Sequence, residues 1–339
     1  MQLTVIIATY NRCELLPRAL ASLLAAEAPP GLDVRVTVAD NNSRDATRAV
    51  VEEWQPKFGG RLQYLFEPRQ GKSYALNTAI AATTSDLVGM IDDDEEIDPG
   101  WYSRVATAFK DTSVDFIGGP YVPRWGAAQP AWLPESYRGV IGWVDAGDKV
   151  LPYDEHYPGV LMGGNAVFRR ALFARVGPYA TNLGRTDKHL LSCEDEDMYQ
   201  RLLAAGARGF YLPDLIIHHY VPPERLTKSY YRRWCFWRGV SHGVMDRARR
   251  SPVAYLLGVP RWFYGRAARG LLSAAAAPLR PGTPAESFAG ELEVWNLLGF
   301  FYGKHFYRAE GGQQAPTAAP PNADAADVPT ARPKITETF

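Results

Sequence analysis

Leu87-Val88-Gly89-Met90-Ile91 runs directly into Asp92-Asp93-Asp94. Five apolar residues bounded by charge have the length of a buried strand. Adjacent carboxylates repel one another and resist desolvation, so a fold that places three of them at the end of such a strand calls for a counter-cation there. Hard oxygen donors suit Mg²⁺ or Mn²⁺, and Mg²⁺ is typically held by one or two carboxylates plus substrate phosphates. The competing reading is a solvated acidic turn that continues into Glu95 and Glu96.

Upstream, Leu3–Ala8, Val34–Ala39 and Leu62–Phe66 also read as strands. Leu15–Leu24, Arg44–Trp54 and Ser73–Ala82 between them have helical spacing, with Ser43 or Asp45 as the cap of the second. Strand–helix alternation predicts an α/β fold: a mostly parallel central sheet covered by helices on both faces. Ligands of such sheets bind beyond the carboxyl ends of the strands. Polar clusters gather at those ends: Thr9-Tyr10-Asn11-Arg12, Asp40-Asn41-Asn42, then Glu67, Arg69 and Gly71, then the aspartates. All four are expected to face one crevice, which favours the metal reading.

A chain of 339 residues, 46% apolar, can bury a large core. Its 37 basic and 37 acidic residues balance, so wholesale nucleic-acid binding is not expected. Cys13, Cys193 and Cys235 lie far apart, which argues for a reducing compartment and against a disulfide framework or zinc site. The N-terminus lacks a signal-peptide pattern, and no apolar run reaches the length of a spanning helix. The expectation is a cytoplasmic chain, with peripheral contact at the inner face of the plasma membrane left open.

Residues 120–160, rich in Trp, Pro, Tyr and Gly, read as an irregular binding loop. Helices are expected near Arg170–Val176 and Asp195–Ala205, the latter stopped by Gly206. Leu215-Ile216-Ile217 reads as a strand followed by His218-His219. The organisation expected is a first domain over 1–225, with halves 1–119 and 120–225, then a helical, aromatic and basic extension over 226–308. A tail over 309–339 is too poor in large apolar residues to fold.

VIIATYNR, VADNNSRDAT, EPRQGKSYALNTAI, GMIDDDEEI, MGGNAVFRR and CEDEDMYQRLLAAG occur in that order. With them the chain resembles family 2 glycosyltransferases, inverting enzymes with a GT-A nucleotide-sugar-binding fold, over residues 1 to about 240. The resemblance implies a divalent metal, Mn²⁺ or Mg²⁺, a nucleotide-diphospho-sugar donor such as a UDP-sugar, and a glycan or polyprenyl-linked acceptor. It implies that Thr9, Tyr10 and Arg12 line the nucleotide pocket, and that Asp40 accepts the N3–H of a uracil-like base. Gly71, Lys72 and Asn77 would frame the nucleotide, with Lys72 alternatively a solvated charge. The triplet corresponds to the family's D-x-D, with Asp92 near the ribose, Asp93 beside it and Asp94 on the metal. Asn165 would flank the acceptor cleft, although Gly163-Gly164-Asn165 alone is only a tight turn.

Glu194-Asp195-Glu196-Asp197 opens a helix, where acidic residues also complement the macrodipole. Asp195 shares the inward stripe of Met198, Tyr199 and Leu202. The resemblance makes Asp195 the general base and Glu194 its acceptor-site neighbour, with the helix dipole keeping Asp195 ionised. The family commonly has Gly where this chain has Cys193. A histidine in the HYVPPER region completes the metal shell in related enzymes; His219 fits best, and neighbouring His218 would face away. Tyr230-Tyr231-Arg232-Arg233-Trp234 is similar to the QxxRW element of processive synthases, but Tyr230 stands at the Gln position. Arg232 and Arg233 suit either a diphosphate or lipid phosphate, or a solvated helix face. Trp234–Trp262 interleaves aromatics with Arg, as in membrane-interface stretches or ordinary packing helices.

Two rivals are a sugar nucleotidyltransferase and a catalytically silent nucleotide-sugar-binding subunit. The first needs a Gly-rich loop after the first strand, which TYNRCELL is not. The intact triplet and Glu194-Asp195 speak against the second.

Overall fold

Leu3, Val5 and Ile7 alternate with Thr4 and Ile6 along β1 (Gln2–Thr9), and both faces of the strand are buried. Leu3, Val5 and Ile7 join the core beneath α1 (Leu16–Ala25). Ile6 joins a second core on the opposite face. That two-sided burial fixes β1 at the centre of the fold. The computed structural model describes residues 1–185, 189–248, 250, 252–276 and 284–308. The tail expected to be unfolded lies outside the described residues.

The first half continues with β2 (Asp33–Asp40), α2 (Thr47–Trp54), β3 (Leu62–Phe66), α3 (Lys72–Ala82) and β4 (Leu87–Asp92). Then come β5 (Glu95–Ile97), α4 (Trp101–Ala108), β6 (Phe116–Gly118), β7 (Tyr121–Trp125) and β8 (Leu151–Pro152). After these are β9 (Ala166–Arg169), α5 (Leu172–Val176), α6 (Glu194–Ala204), β10 (Gly209–Tyr211) and β11 (Ile217–Val221). The main sheet runs β3-β2-β1-β4-β9-β6-β10-β8. β3, β2, β1 and β4 are mutually parallel, while β9 is antiparallel to both β4 and β6. The register pairs Thr9 with Asp40, Asp40 with Phe66 and Ala8 with Asp92, so the polar clusters do end on one edge.

β11 lies between β5 and β7 in a small second sheet. This corrects two expectations. Residues 120–160 are not wholly irregular, because β7 pairs in parallel with β11 over five residues. His218 and His219 lie inside β11 rather than after a strand at 215–217. Neither Ser43 nor Asp45 stands at the cap of α2, which is Ala46; Asp45, one residue earlier, accepts the Thr47 N–H on its Oδ1 at 3.0 Å.

The C-terminal part comprises α7 (Lys228–Ala248), a hairpin of β12 (Tyr255–Leu256) and β13 (Val259–Pro260), α8 (Arg261–Ala276) and α9 (Pro284–His305). α7 and α9 meet backbone to backbone. A Cβ on Gly299 would strike the Phe236 carbonyl, and one on Gly303 the Val240 carbonyl. The pair packs back onto the sheet domain: Tyr231, Cys235, Phe288 and Leu292 share a core with Tyr137, Ile141 and Val221. Val240 and Val244 pack with Leu183 and Leu191, just ahead of α6. The extension therefore supports the loops around the strand ends.

Candidate active site

The turn after β4 sends its carboxylates in different directions. Asp92 Oδ1 receives Lys72 Nζ at 2.5 Å. Lys72 opens α3 after Gly71, whose φ of +134° suits glycine alone and whose N–H donates to Asn41 Oδ1 at 2.7 Å. Burial would lower the Lys72 pKa, but Asp92, Asp195 and Glu194 outweigh it and raise it. Lys72 is thus the charge shared between the β4 turn and the start of α6, not a solvated surface cation.

Asp93 accepts the Thr9 hydroxyl at 2.8 Å and faces Arg12. Burial, followed by the neighbouring Asp94, pushes its pKa up to about 7. Thr9 itself is buried and its hydroxyl is committed to Asp93. Asp94 accepts Arg225 Nη2 at 2.9 Å and Arg12 Nη1 at 3.2 Å, and its Oδ1 lies 3.6 Å from His219 Nε2. Burial alone would raise the Asp94 pKa; Arg225, His219 and Arg12 overcome it and hold the carboxyl well below the usual range.

His219 is buried on the inward side of β11, while His218 is half-exposed. Burial lowers the imidazole pKa despite Asp94. Arg225 Nη1 lies 3.1 Å from His219 Nε2. A guanidinium only donates, so Nε2 accepts and the neutral ring carries its proton on Nδ1.

Two residues of this group were not singled out in the sequence. Arg225 follows Pro222-Pro223, which turn the chain back so that its guanidinium bridges Asp94 and His219. Glu95 read as part of a solvated turn, yet it is 1% exposed. Its Oε2 accepts the Asp92 N–H at 2.6 Å, and its Oε1 is buried without a hydrogen-bond partner. Glu96 points the other way, to Arg18 and Arg124. Glu95 and Glu96 thus take opposite faces of β5, as successive strand residues do. Ligand atoms of Asp94, Glu95 and His219 lie within 4.8 Å of one another. Two carboxylates and an imidazole, one oxygen lacking any partner, fit a divalent cation.

Asp195 sits at the first turn of α6, and its Oδ1 is likewise buried without a partner. Burial and then Glu194 push its pKa up to about 7, against Lys72 and the Gly163 N–H. The expectation that the helix dipole keeps it ionised is thereby corrected: desolvation beside another carboxylate wins. Cys193 before it has φ +74°, a left-handed conformation that explains why glycine suits this position. Glu196 turns to α7 instead, with its Oε2 3.0 Å from His242 Nε2.

Gly163-Gly164-Asn165 connects both groups. A Cβ on Gly163 would collide with Asp195 Oδ1, and one on Gly164 would lie 2.5 Å from Glu95 Oε1. Asn165 is fully buried; its amide donates to the Pro120 and Leu215 carbonyls and accepts the Trp101 indole N–H. It clamps the floor beneath the cleft and does not line an acceptor site. Asn77 is used similarly, since its amide exchanges two hydrogen bonds with the Tyr179 backbone.

Asp40 is buried, with Oδ1 on the Ser43 N–H and Oδ2 on the Tyr64 hydroxyl. Tyr10 is half-buried at the same edge. Arg232, read either as a phosphate ligand or as part of a solvated helix face, is paired with Glu291 across α7 and α9.

Known proteins agree with this architecture. A glucosyl-dolichyl phosphate glucuronosyltransferase of Haloferax volcanii is 29% identical over 255 residues, covering 73% of this chain and 78% of its own. The succinoglycan biosynthesis protein ExoM of Rhizobium meliloti is 27% identical over 241 residues, covering 70% and 72%. Among solved structures, the mannosyltransferase PcManGT of Pyrobaculum calidifontis, in complex with GDP-Man and Mn²⁺, aligns with TM-score 0.59. It is 20% identical over 89% of this chain and 86% of that one. GalNAc-T7 with UDP, GalNAc and Mn²⁺ aligns with TM-score 0.53 at 14% identity, over 74% and 52%. The fold is GT-A. Residues 4–177 match the family described as Glycosyl transferase family 2, and the chain belongs to that family.

Proposed function

We propose that this glycosyltransferase is metal-dependent and inverting, and that it moves one sugar from a nucleotide-diphospho-sugar, foremost a UDP-sugar, to a glycan or lipid-linked acceptor in cell-surface polysaccharide biosynthesis. The observation that carries the reading is Asp195: a buried carboxyl with one free oxygen, joined through Lys72 to the Asp92 turn. A base with a pKa near neutrality suits proton abstraction from a hydroxyl at physiological pH. Asp195 would take the acceptor's hydroxyl proton as that oxygen bonds to the anomeric carbon. The bond from that carbon to the diphosphate oxygen breaks on the opposite side, so the configuration inverts.

Asp94, Glu95 and His219 are the residues that would hold the cation. Bound there, it would neutralise charge on the leaving diphosphate. Arg12, Lys72 and Arg225 surround the same turn with fixed positive charge and would orient the diphosphate. The relatives support the acceptor class: one is named for a dolichyl phosphate substrate and another for succinoglycan biosynthesis. The donor is tested by measuring Mn²⁺-dependent hydrolysis and transfer across UDP-, GDP- and dTDP-sugars. Turnover greatest with a UDP-sugar and abolished by chelation is expected. The absence both of turnover and of metal-dependent nucleotide binding would overturn the proposal.

A further inference from the structure

Between Asp246 and Glu286 the chain carries seven arginines and no acidic residue. This stretch includes the end of α7, the β12–β13 hairpin and all of α8. Its arginines therefore have no acidic partner within the stretch. Two acids of the packed helices are already occupied, Asp246 by Lys304 at 2.6 Å and Glu293 by Arg266 at 2.6 Å. Arg250, Arg261 and Arg308 are exposed.

Large apolar side chains stand out of the same region. Leu257, at the hairpin tip, is 71% exposed and Phe306, just past α9, is 64% exposed. Leu256, Leu298, Phe301 and Tyr302 are exposed as well. They form one surface. The Leu257 carbonyl lies 2.9 Å from His305 Nε2, and the His305 ring stacks obliquely on Phe301 at 4.7 Å. Phe306 lies about as near to Phe301 and to Tyr302, at 6.0 and 6.3 Å. Residues 298, 301, 302 and 305 of α9 follow the spacing of a single helix stripe, and 306 continues it just past the helix end. Tyr264 ties the hairpin to α8 through the Leu256 carbonyl at 3.1 Å.

We infer that the β12–β13 hairpin tip and the C-terminal turn of α9 dock this enzyme onto an anionic lipid bilayer. Contiguous exposed apolar groups of this size mark an interaction surface, and the acid-free arginine stretch beside them matches a negatively charged partner. None of the described helices is long and apolar enough to cross a membrane, so the contact is interfacial. Leu257 and Phe306 enter the headgroup–acyl boundary, and Arg250, Arg261 and Arg308 meet lipid phosphates. The inference deepens the lipid-linked-acceptor reading, because α7 and Tyr307, just past α9, pack with Leu183 and Leu191 ahead of Asp195. It locates the acceptor at the membrane without depending on turnover.

The experiment is flotation of the full chain with phosphatidylcholine vesicles, with and without phosphatidylglycerol, at low and high salt. The wild type is expected to float with the anionic vesicles and to release as salt rises. Arg250→Gln/Arg261→Gln/Arg308→Gln should lower the partition on the order of a hundredfold at low salt. Leu257→Glu/Phe306→Glu should lose binding to all vesicles, with thermal unfolding and UDP binding unchanged. A wild type that stays in the aqueous fraction overturns the inference, as do variants that float equally well. If light scattering shows a wild-type dimer that Leu257→Glu/Phe306→Glu splits without any vesicle binding, the surface joins two copies of the chain and the inference fails. Sugar-nucleotide turnover without vesicle binding would sink the docking surface alone. Vesicle binding without turnover would sink the catalytic reading alone.

Discussion

Gly163 lies against Asp195 so closely that one added methyl group would collide with the carboxyl oxygen Oδ1. The glycine is thus part of the definition of the site: its missing side chain is the space in which the proposed base stands. Gly163→Ala should force the carboxyl away from its bound position. Because a misplacement of about 1 Å can cost roughly a hundredfold in rate, kcat is expected to fall by that order. UDP affinity, read by calorimetry, should change less than about twofold, since Gly163 touches no group assigned to the nucleotide. Equal losses in both quantities would show that the turn holds the donor instead.

The pH profile follows from the same carboxyl. Asp195 must be ionised to accept a proton, and burial beside Glu194 places its pKa at about 7. The value of kcat/KM is therefore expected to rise tenfold per unit below about pH 7 and to level off above it. Asp195→Asn should abolish transfer and leave UDP binding nearly intact.

The stability of that variant has a definite sign. The folded pKa is raised above the unfolded value of about 4, so the folded state holds the extra proton between about pH 4 and 7. Wild-type stability consequently falls as pH rises through that window, and above it the protein carries a buried charge. Asparagine removes the charge. Asp195→Asn should be more stable than wild type by about 1–3 kcal/mol at pH 8 and by less at pH 5. Denaturant unfolding at the two pH values checks this, and a destabilised variant at pH 8 would contradict the assigned shift.

Strong short-range periodicity made the first half of the fold legible. β1 to β4 are apolar runs ending in polar clusters, and the parallel register puts those ends together. Asp94, His219 and Asp195 could be singled out because local pattern and resemblance agreed. Glu95 could not, since a three-residue strand is too short to show its alternation in a run of five acids. Arg225 was hidden for another reason: its partner Asp94 lies 131 residues away. Asn165 was misread because its partners, Trp101, Pro120 and Leu215, are fixed only by the tertiary fold. The raised Asp195 pKa was hidden because burial beside Glu194, its main cause, is set by the tertiary fold.

Arg225 raises a sharper test of the cation site. Its guanidinium already satisfies both Asp94 and His219, two of the three candidate ligands. Arg225→Met removes the nearest cation from the buried Asp94 carboxylate and leaves it Arg12 at 3.2 Å and the His219 ring at 3.6 Å. Breaking one side of a buried ion pair typically costs about 3–5 kcal/mol, so the melting temperature should drop markedly in metal-free buffer. Mn²⁺ should restore much of it by binding the folded state alone. Wild-type stability should respond to Mn²⁺ far less in the absence of nucleotide, because the arginine already neutralises the site. A variant that melts equally with and without Mn²⁺ would mean that these residues hold no cation.

Asn165 separates a structural role from a binding role. Its side chain makes three hydrogen bonds with no solvent contact, joining α4, the end of β6 and the approach to β11. Asn165→Ala would strand the Trp101 indole N–H and the Leu215 carbonyl in the interior, each at a penalty of about 1–3 kcal/mol unless water enters, while the Pro120 carbonyl keeps the Ile217 N–H. A loss of about 3 kcal/mol or more is expected in denaturant unfolding. The acceptor KM of the fraction that remains folded should stay within about twofold of wild type, because nothing in the cleft is removed. Asn165→Asp tests the donor side of the clamp: a carboxylate cannot donate to Pro120 and Leu215, so it should destabilise at least as much as alanine. If instead stability were unchanged while the acceptor KM rose sharply, Asn165 would belong to the acceptor site after all.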